Sequence, residues 1–350
     1  MRSINNLLLA AVATATVFAA CRKETLDPVV RQVGGAPKDE GCDFNVSVEC
    51  GMLSFTDAAH FDEILDCLDA RYEANLEWLE QEYGSLDDDQ FDDAVEQLGW
   101  NEDNAIIDFL AGLGFTSYWS HYETALNQFL EQGGEPWNFG MPDPFSTPTS
   151  AALRNKYGAV MIGGIIYVTM PNGNELTFCS CEAYELYTVD PSGYVLDPND
   201  PCVGLIEKQT FTGNNGFECS DYWKMCHWNN YISNKNMKVK LIFEYSASDG
   251  TAAEARQDSW KKRSNGRWKR HYTKLRPRID GKSGTIECVF RGSFTKERPQ
   301  RRARTRTSGV KWPGQHHTFR NLEVSGTYNW AGGSYTDAIT LDWTQSVCWN

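Results

Sequence analysis

Basic residues are almost missing from one third of this chain. From Cys42 to Ser150 there are 24 Asp and Glu but a single base, Arg71. Acidic residues are scarce further on, where Arg256 to Arg320 holds 20 Lys and Arg against four acids. The net charge of −14 therefore conceals two blocks of opposite sign. Long apolar runs are missing too. After Phe18 none approaches the roughly twenty residues of a spanning helix, so no transmembrane helix is expected there. The chain also lacks G-x-S-x-G, H-E-x-x-H, a P-loop and G-x-G-x-x-G. Those absences remove the common local signatures of hydrolases, zinc peptidases and nucleotide binders. The histidines are scattered at His60, His121, His227, His271 and His316-His317. The last two are neighbours, and neighbours on a strand point apart. An enzyme reading would need a carboxylate pair brought together from distant positions, as in glycoside hydrolysis.

What is present at the start of the chain is an address. Arg2 is followed by an apolar run of about a dozen residues, Leu7 to Phe18, which ends in Phe18-Ala19-Ala20-Cys21. A Cys after two small residues resembles the lipobox of bacterial lipoproteins, although the usual Leu three residues before the Cys is replaced by Phe18. The resemblance implies that residues 1–20 are removed and that Cys21 carries the lipid. Two or three acyl chains would hold the protein stably on a membrane. Arg22-Lys23-Glu24 follows Cys21, with no Asp directly after it. In lipoproteins of the Bacteroidetes kind such a charged run accompanies export to the outer surface. The expected location is the outer membrane, lipid-anchored and exposed at the cell surface.

Removing Cys21 from the eleven cysteines leaves ten: Cys42, Cys50, Cys67, Cys179, Cys181, Cys202, Cys219, Cys226, Cys288 and Cys348. An even number in an exported chain reads as disulfides, and spacing does not give their connectivity. Cys288 and Cys348 share one block and are the first pair to expect. A zinc site from Cys179, Cys181, Cys219, Cys226 and His227 competes, but the C-x2-C spacing of zinc modules is absent. Two acidic groups could be read as calcium loops. One is Asp87 to Asp93; the other is Asp190, Asp197, Asn199 and Asp200. The first fits a helix N-terminus better. The second is interrupted by Pro191 and Pro198 and fits plain turns. No metal and no cofactor is expected.

The pattern predicts an α+β chain. An acidic helical N-terminal region is followed by an antiparallel β-hairpin and a β-sandwich-like C-terminal domain. Residues 21–41 form a lipid anchor and flexible tether with a reach of roughly 25 Å. Residues 42–150 are the helical region. Ser54 or Thr56 would cap a helix carrying Phe61, Ile64, Leu65, Leu68, Tyr72, Leu76, Leu79 and Tyr83 on one face. Phe91, Val95 and Leu98 mark a second helix, Ala105 to Leu110 a third, and Ser117 caps a fourth. Residues 151–236 hold the hairpin and a Cys-rich loop region. Strands are expected at Ala159–Ile162 and Ile165–Met170, with Asn172-Gly173 as a turn and Glu175 to Tyr187 pairing back. Residues 237–350 form a basic, Trp-rich β domain, because Val239, Leu241, Phe243 and Tyr245 alternate with mostly polar partners. Pro142-Asp143-Pro144-Phe145, Leu153-Arg154-Asn155 and Gly158 to Tyr167 resemble a segment of uncharacterised Bacteroidetes-type lipoproteins, in which the Leu and Asn adjoin without Arg154. That resemblance implies no activity.

The candidate site is basic. On an extended strand Arg302, Arg304 and Arg306 would share one face, roughly 6.8 Å apart. Lys261, Lys262, Arg263 and Arg267 add charge around Trp260 and Trp268, with Lys269 and Arg270 beside them. Arginine forks recognise sulfate, phosphate and carboxylate. The face would thus suit a glycan or another acidic polymer. The compartment and the absence of any RRM, OB or zinc-finger signature argue against nucleic acid. Three plainer readings compete: edge-strand protection, a solvated face, and docking on the chain's own acidic helices. The twelve Trp divide in the same way between sugar stacking and core filling. The leading expectation is a non-catalytic envelope binding module, and the rival is an envelope hydrolase acting on polysaccharide.

Overall fold

A computed structural model describes residues 44–145, 147–170, 175–191, 194, 195, 197, 200–206, 223–232, 235–246, 250–285, 290–312, 317–330 and 333–341. Beyond residue 205, side chains are described at 256–278 and 295–308. The expected signal segment and tether, Cys21 and Cys42 lie outside these residues, as do Pro171 to Asn174, Cys219, Cys288, His316 and Cys348. So do the side chains of Cys226 and His227.

The first element is a hairpin, β1 (Ser47–Glu49) and β2 (Met52–Phe55). Its two-residue turn is Cys50-Gly51, with φ of 50° and 72°. Positive φ at both positions is what a type I′ hairpin requires. The chain then enters α1 (Ala58–Tyr83), 26 residues and about 39 Å long. Ser54 and Thr56 do not cap it. Ser54 belongs to β2, and the Asp57 side chain accepts from the His60 amide. The apolar stripe reads as expected: Phe61, Ile64, Leu65, Leu68, Leu76 and Leu79 are all buried. Next come α2 (Asp88–Leu98), α3 (Asn104–Leu110), α4 (Tyr118–Glu131) and α5 (Pro148–Ala152). Asp87 makes a capping box with Gln90 at the head of α2. Ser117 caps α4.

The long helical excursion returns the chain to β2. Strand β3 (Ala159–Ile162) pairs with it in parallel, Phe55 opposite Ile162. A parallel pair needs such a crossover. Strands β4 (Ile165–Thr169), β5 (Glu175–Phe178) and β6 (Val203–Ile206) follow antiparallel, completing a six-stranded sheet in sequence order. Gly163 and Gly164, with φ of 60° and 78°, turn β3 into β4. The segment from Glu175 to Tyr187 is not one strand. It leaves the sheet after Phe178 and forms α6 (Cys181–Val189). Ser180 caps the helix, and Tyr184 and Tyr187, three apart, both pack on Phe178. Helical spacing wins because it buries both rings. Disulfides Cys50–Cys181 and Cys179–Cys202 close this sheet, and Cys67 is also disulfide-bonded.

The remaining strands form two antiparallel sheets. One contains β7 (Trp223–Ile232), β8 (Lys235–Ser246), β9 (Gly250–Lys262), β10 (Trp268–Arg270) and β14 (Thr305–Trp312). The other contains β11 (Thr273–Thr285), β12 (Phe290–Glu297), β13 (Arg301–Ala303), β15 (His317–Trp330) and β16 (Gly333–Leu341). The architecture is thus α+β. The chain changes sheet twice at one corner, at His271-Tyr272 and at Arg304. Ser259 of β9 links the two crossings, donating to the Arg304 carbonyl at 2.9 Å and accepting from His271 at 3.1 Å. Strands that switch sheets make such corners.

The helices and this corner share a core. Tyr272, Leu275 and Ala303 are buried in the same cluster as Phe61, Leu68, Phe91 and Ile106. The segment around Leu153-Arg154-Asn155 is a structural hub. Asn155 donates to the Gly51 carbonyl at 3.1 Å and to the Tyr184 hydroxyl at 2.8 Å. Its side-chain oxygen accepts from the amides of Tyr157 and Ala159. Arg154, buried, lies over the Phe61 and Phe145 rings and donates to the Ser150 carbonyl at 2.9 Å.

Candidate functional site

The expected arginine face does not exist as one strand face. Arg302 lies in β13, Arg304 in the crossing and Arg306 in β14, so the three serve different neighbours. Each turns inward to the acidic helices. Arg302 donates through Nε to Asp88 at 2.7 Å and through its terminal nitrogens to the carbonyls of Gly84 and Leu86, at 2.9 and 2.7 Å. It therefore ties the end of α1 to the start of α2, with its guanidinium over the Phe91 ring. The carbonyl end of one helix and the acid in the first turn of the next both favour a cation there. Arg304 forks across Glu102 at 2.8 Å and Asp103 at 2.5 Å. Glu102 is fully buried and also accepts from the Tyr272 hydroxyl. Burial opposes the Arg304 charge, but Asp103 and Glu102 more than compensate and hold it firmly protonated. Arg306 reaches Glu73 at 3.2 Å.

The second group of cations divides. Lys261 pairs with Asp89 at 2.9 Å and Arg263 with Glu96 at 2.8 Å. Lys262 sits over the Trp268 ring at 5.7 Å. Arg267 is exposed on the turn between β9 and β10. Other partnered bases fall outside the expected site set. Arg256, buried, bridges Asp143 and Asp258 at 3.0 Å each. Arg270 bridges Glu123 at 2.6 Å and Asp258 at 3.4 Å. Lys269 meets Asp92 and Glu96. Arg301 lies 3.7 Å from both Glu73 and Glu77. Asp143, between two prolines in a loop, carried no sequence signal of this role. The opposite block charges left docking on the chain's own helices as one of three plainer readings and gave none of its pairs.

An external polymer would thus find Arg302 and Arg304 already occupied by Asp88, Glu102 and Asp103, and Arg306 buried against Glu73. Removing one partner of such a buried pair costs about 3–5 kcal/mol, since the other is left uncompensated. The aspartates from Asp87 to Asp92 are likewise engaged, in a helix cap and in bonds to Arg302, Lys261 and Lys269. Cys179 and Cys181 are in disulfides, which removes them as zinc thiolates. Among the described residues no group of three or more His, Cys, Asp or Glu could hold a metal ion. Trp260 and Trp268 are buried, so neither offers an open sugar-stacking face. No helix among the described residues is long and apolar enough to cross a membrane.

The chain is similar to a DUF4848 family protein from Bacteroides thetaiotaomicron, at 12% identity and a TM-score of 0.21, covering 85% of this chain and all of that one. No family model matches the sequence, and no curated protein does. At that score the likeness assigns neither a fold family nor an activity.

His271 is another enclosed ionisable group of the corner. It is fully buried, with one ring nitrogen 3.5 Å from Asp92 and the other 3.6 Å from Asp89. Burial pushes the Asp92 carboxyl up, but His271 and Lys269 outweigh it and hold the group below the usual carboxylate range.

Proposed function

We propose that this protein is a non-catalytic binding module of the cell envelope, held at the outer membrane through lipid on Cys21 and exposed at the cell surface. Its ligand is a glycan or another acidic polymer. The supporting observation is the division among the cations. Those at the sheet-switching corner are consumed by internal carboxylates. Lys262 and Arg267 keep no carboxylate partner among the described residues, at a hairpin end where residues 263–267 are all exposed. A short turn fixes that end: Arg263 donates to the Arg267 carbonyl at 2.7 Å, and Gly266 takes a φ of 83°. Cations presented there meet a polymer at little desolvation cost. A sandwich-like stacking of the two C-terminal sheets belongs to the same proposal, as a rigid base for the hairpin.

The test is retention of residues 41–350 on dextran-sulfate resin at low salt. Replacing Lys262 and Arg267 together by Gln should abolish most of the retention. Passage of the unaltered protein straight through the column, or equal retention of the double variant, would overturn the reading. Release of sugar from envelope polysaccharide would favour the rival hydrolase instead.

A further inference from the structure

Cys67 is disulfide-bonded, and Cys50, Cys179, Cys181 and Cys202 are taken by one another. Its partner is therefore one of the remaining cysteines. Phe44 narrows the choice. The Arg71 guanidinium lies 4.3 Å from the centre of its ring, and the Phe109 ring lies 4.8 Å away. Arg71 follows Cys67 by four residues in α1, so the two share one face of that helix. The chain thus reaches α1 on the face, and within about one turn, of Cys67. Cys42 stands two residues before Phe44, a span of at most about 7 Å. A disulfide joins Cα atoms roughly 4–7 Å apart. Four other candidates belong, by their place in the chain, with the two C-terminal sheets. Cys226 is in β7 and Cys219 just before it; Cys288 stands between β11 and β12, and Cys348 follows β16. Those four can pair among themselves once Cys42 is taken.

We propose that Cys42 and Cys67 form a disulfide that staples the entry of the chain to α1. Each thiol gives up a proton and an electron, and both pairs pass to a disulfide oxidant, which leaves as a dithiol. The bond closes a ring from residue 42 to residue 67 that contains the β1–β2 hairpin. Strand β1 is three residues long, exposed throughout, and at the edge of the six-stranded sheet. Without the staple it is the first element to meet a pull from the residues before Phe44. With the staple, that pull passes to the 26-residue α1. The pairing stands without the lipid on Cys21, whereas the role under tension rests on that anchor.

The unreduced full chain, purified in detergent with free thiols alkylated, is cut after glutamate and its peptides are weighed. Cleavage at Glu40, Glu49, Glu63 and Glu73 puts Cys42, Cys50 and Cys67 on separate fragments. The expected product is Gly41–Glu49 linked to Ile64–Glu73, which reductant splits. Cys67 linked to any other cysteine, Cys21 included, overturns the pairing, and so does an alkylated Cys42. Hydrogen exchange of the parent is then compared with that of Cys42→Ala with Cys67→Ala. Amides of β1 and β2 should exchange at least about tenfold faster in the variant, with those of β4 and β5 unchanged. Equal exchange at β1 and β2 overturns the hold on the hairpin. An intact mass without lipid on Cys21 overturns the role under tension alone, because the digest reads the bond separately.

Discussion

The six-stranded sheet and the sheet-switching corner are held by different means. Around the sheet, Ile166, Val168, Leu176 and Phe178 are buried with Tyr184 and Tyr187, and two disulfides close the edge. At the corner, buried rings alternate with charges: Arg302 over Phe91, Arg304 over Tyr272 and Arg270 over Trp260. Apolar packing is insensitive to pH and redox state, a disulfide answers to redox, and a buried ion pair answers to pH and to the loss of either partner. One chain therefore has a joint that reductant should loosen and another that acid should loosen.

The largest effect is expected at the corner. Arg302→Met leaves Asp88 buried without its strongest partner and should cost about 3–5 kcal/mol in denaturant unfolding. Replacing Asp88 by Leu in the same chain should recover part of that loss. A single variant as stable as the parent would mean that the corner is held by its rings alone.

Next in size is the covalent closure of the sheet. Cys50→Ala with Cys181→Ala opens a link between residues 131 apart in sequence. The expected cost is about 2–4 kcal/mol. Reductant should lower the midpoint of the parent but have less effect on this double variant. Equal sensitivity in the two would place the redox response elsewhere.

The smallest effect is in acid. The Asp92 carboxyl is held low in the folded state, so its contribution is fully present above the unfolded value of about 3.9. It is lost as pH falls through the folded value. Unfolding midpoints of the parent should therefore drop below about pH 4, and Asp92→Asn should flatten that limb. The six-stranded sheet offers a control, because Tyr184, pushed up to about 12 by burial, stays neutral throughout this range. An unchanged acid limb in Asp92→Asn would remove this carboxylate from the account.

Much of the helical region was legible because its period is local. The stripe from Phe61 to Leu79 and the Ser117 cap are set by residues three or four apart, and they appear as expected. The error at the start of α1 has a tertiary origin. Met52–Phe55 is taken as a strand by β3, more than a hundred residues away, which pushes the cap on to Asp57. Glu175 to Tyr187 departs from the expected strand for a related reason. A short apolar run fits either period, and the choice fell to the face of Phe178 that the two tyrosines could cover. The candidate site was half legible. The charge blocks announced an attraction, but period two assumed an unbroken strand where the chain crosses between sheets at Arg304.

By itself the sequence determined local matters: helix spacing, caps, glycine turns and the opposite signs of the two charge blocks. Those depend on neighbours within a few residues and on composition. Only the tertiary structure decided which charge meets which, which cysteines join and which arginine is left with donors to spare. Arg302, Arg304 and Arg306 are the same residue at even spacing. One ties two helices together, one forks across two acids, and one is buried with its Nε and Nη1 unused. Their chemistry is identical, and what distinguishes them is the number of acceptors that distant segments bring within about 3 Å.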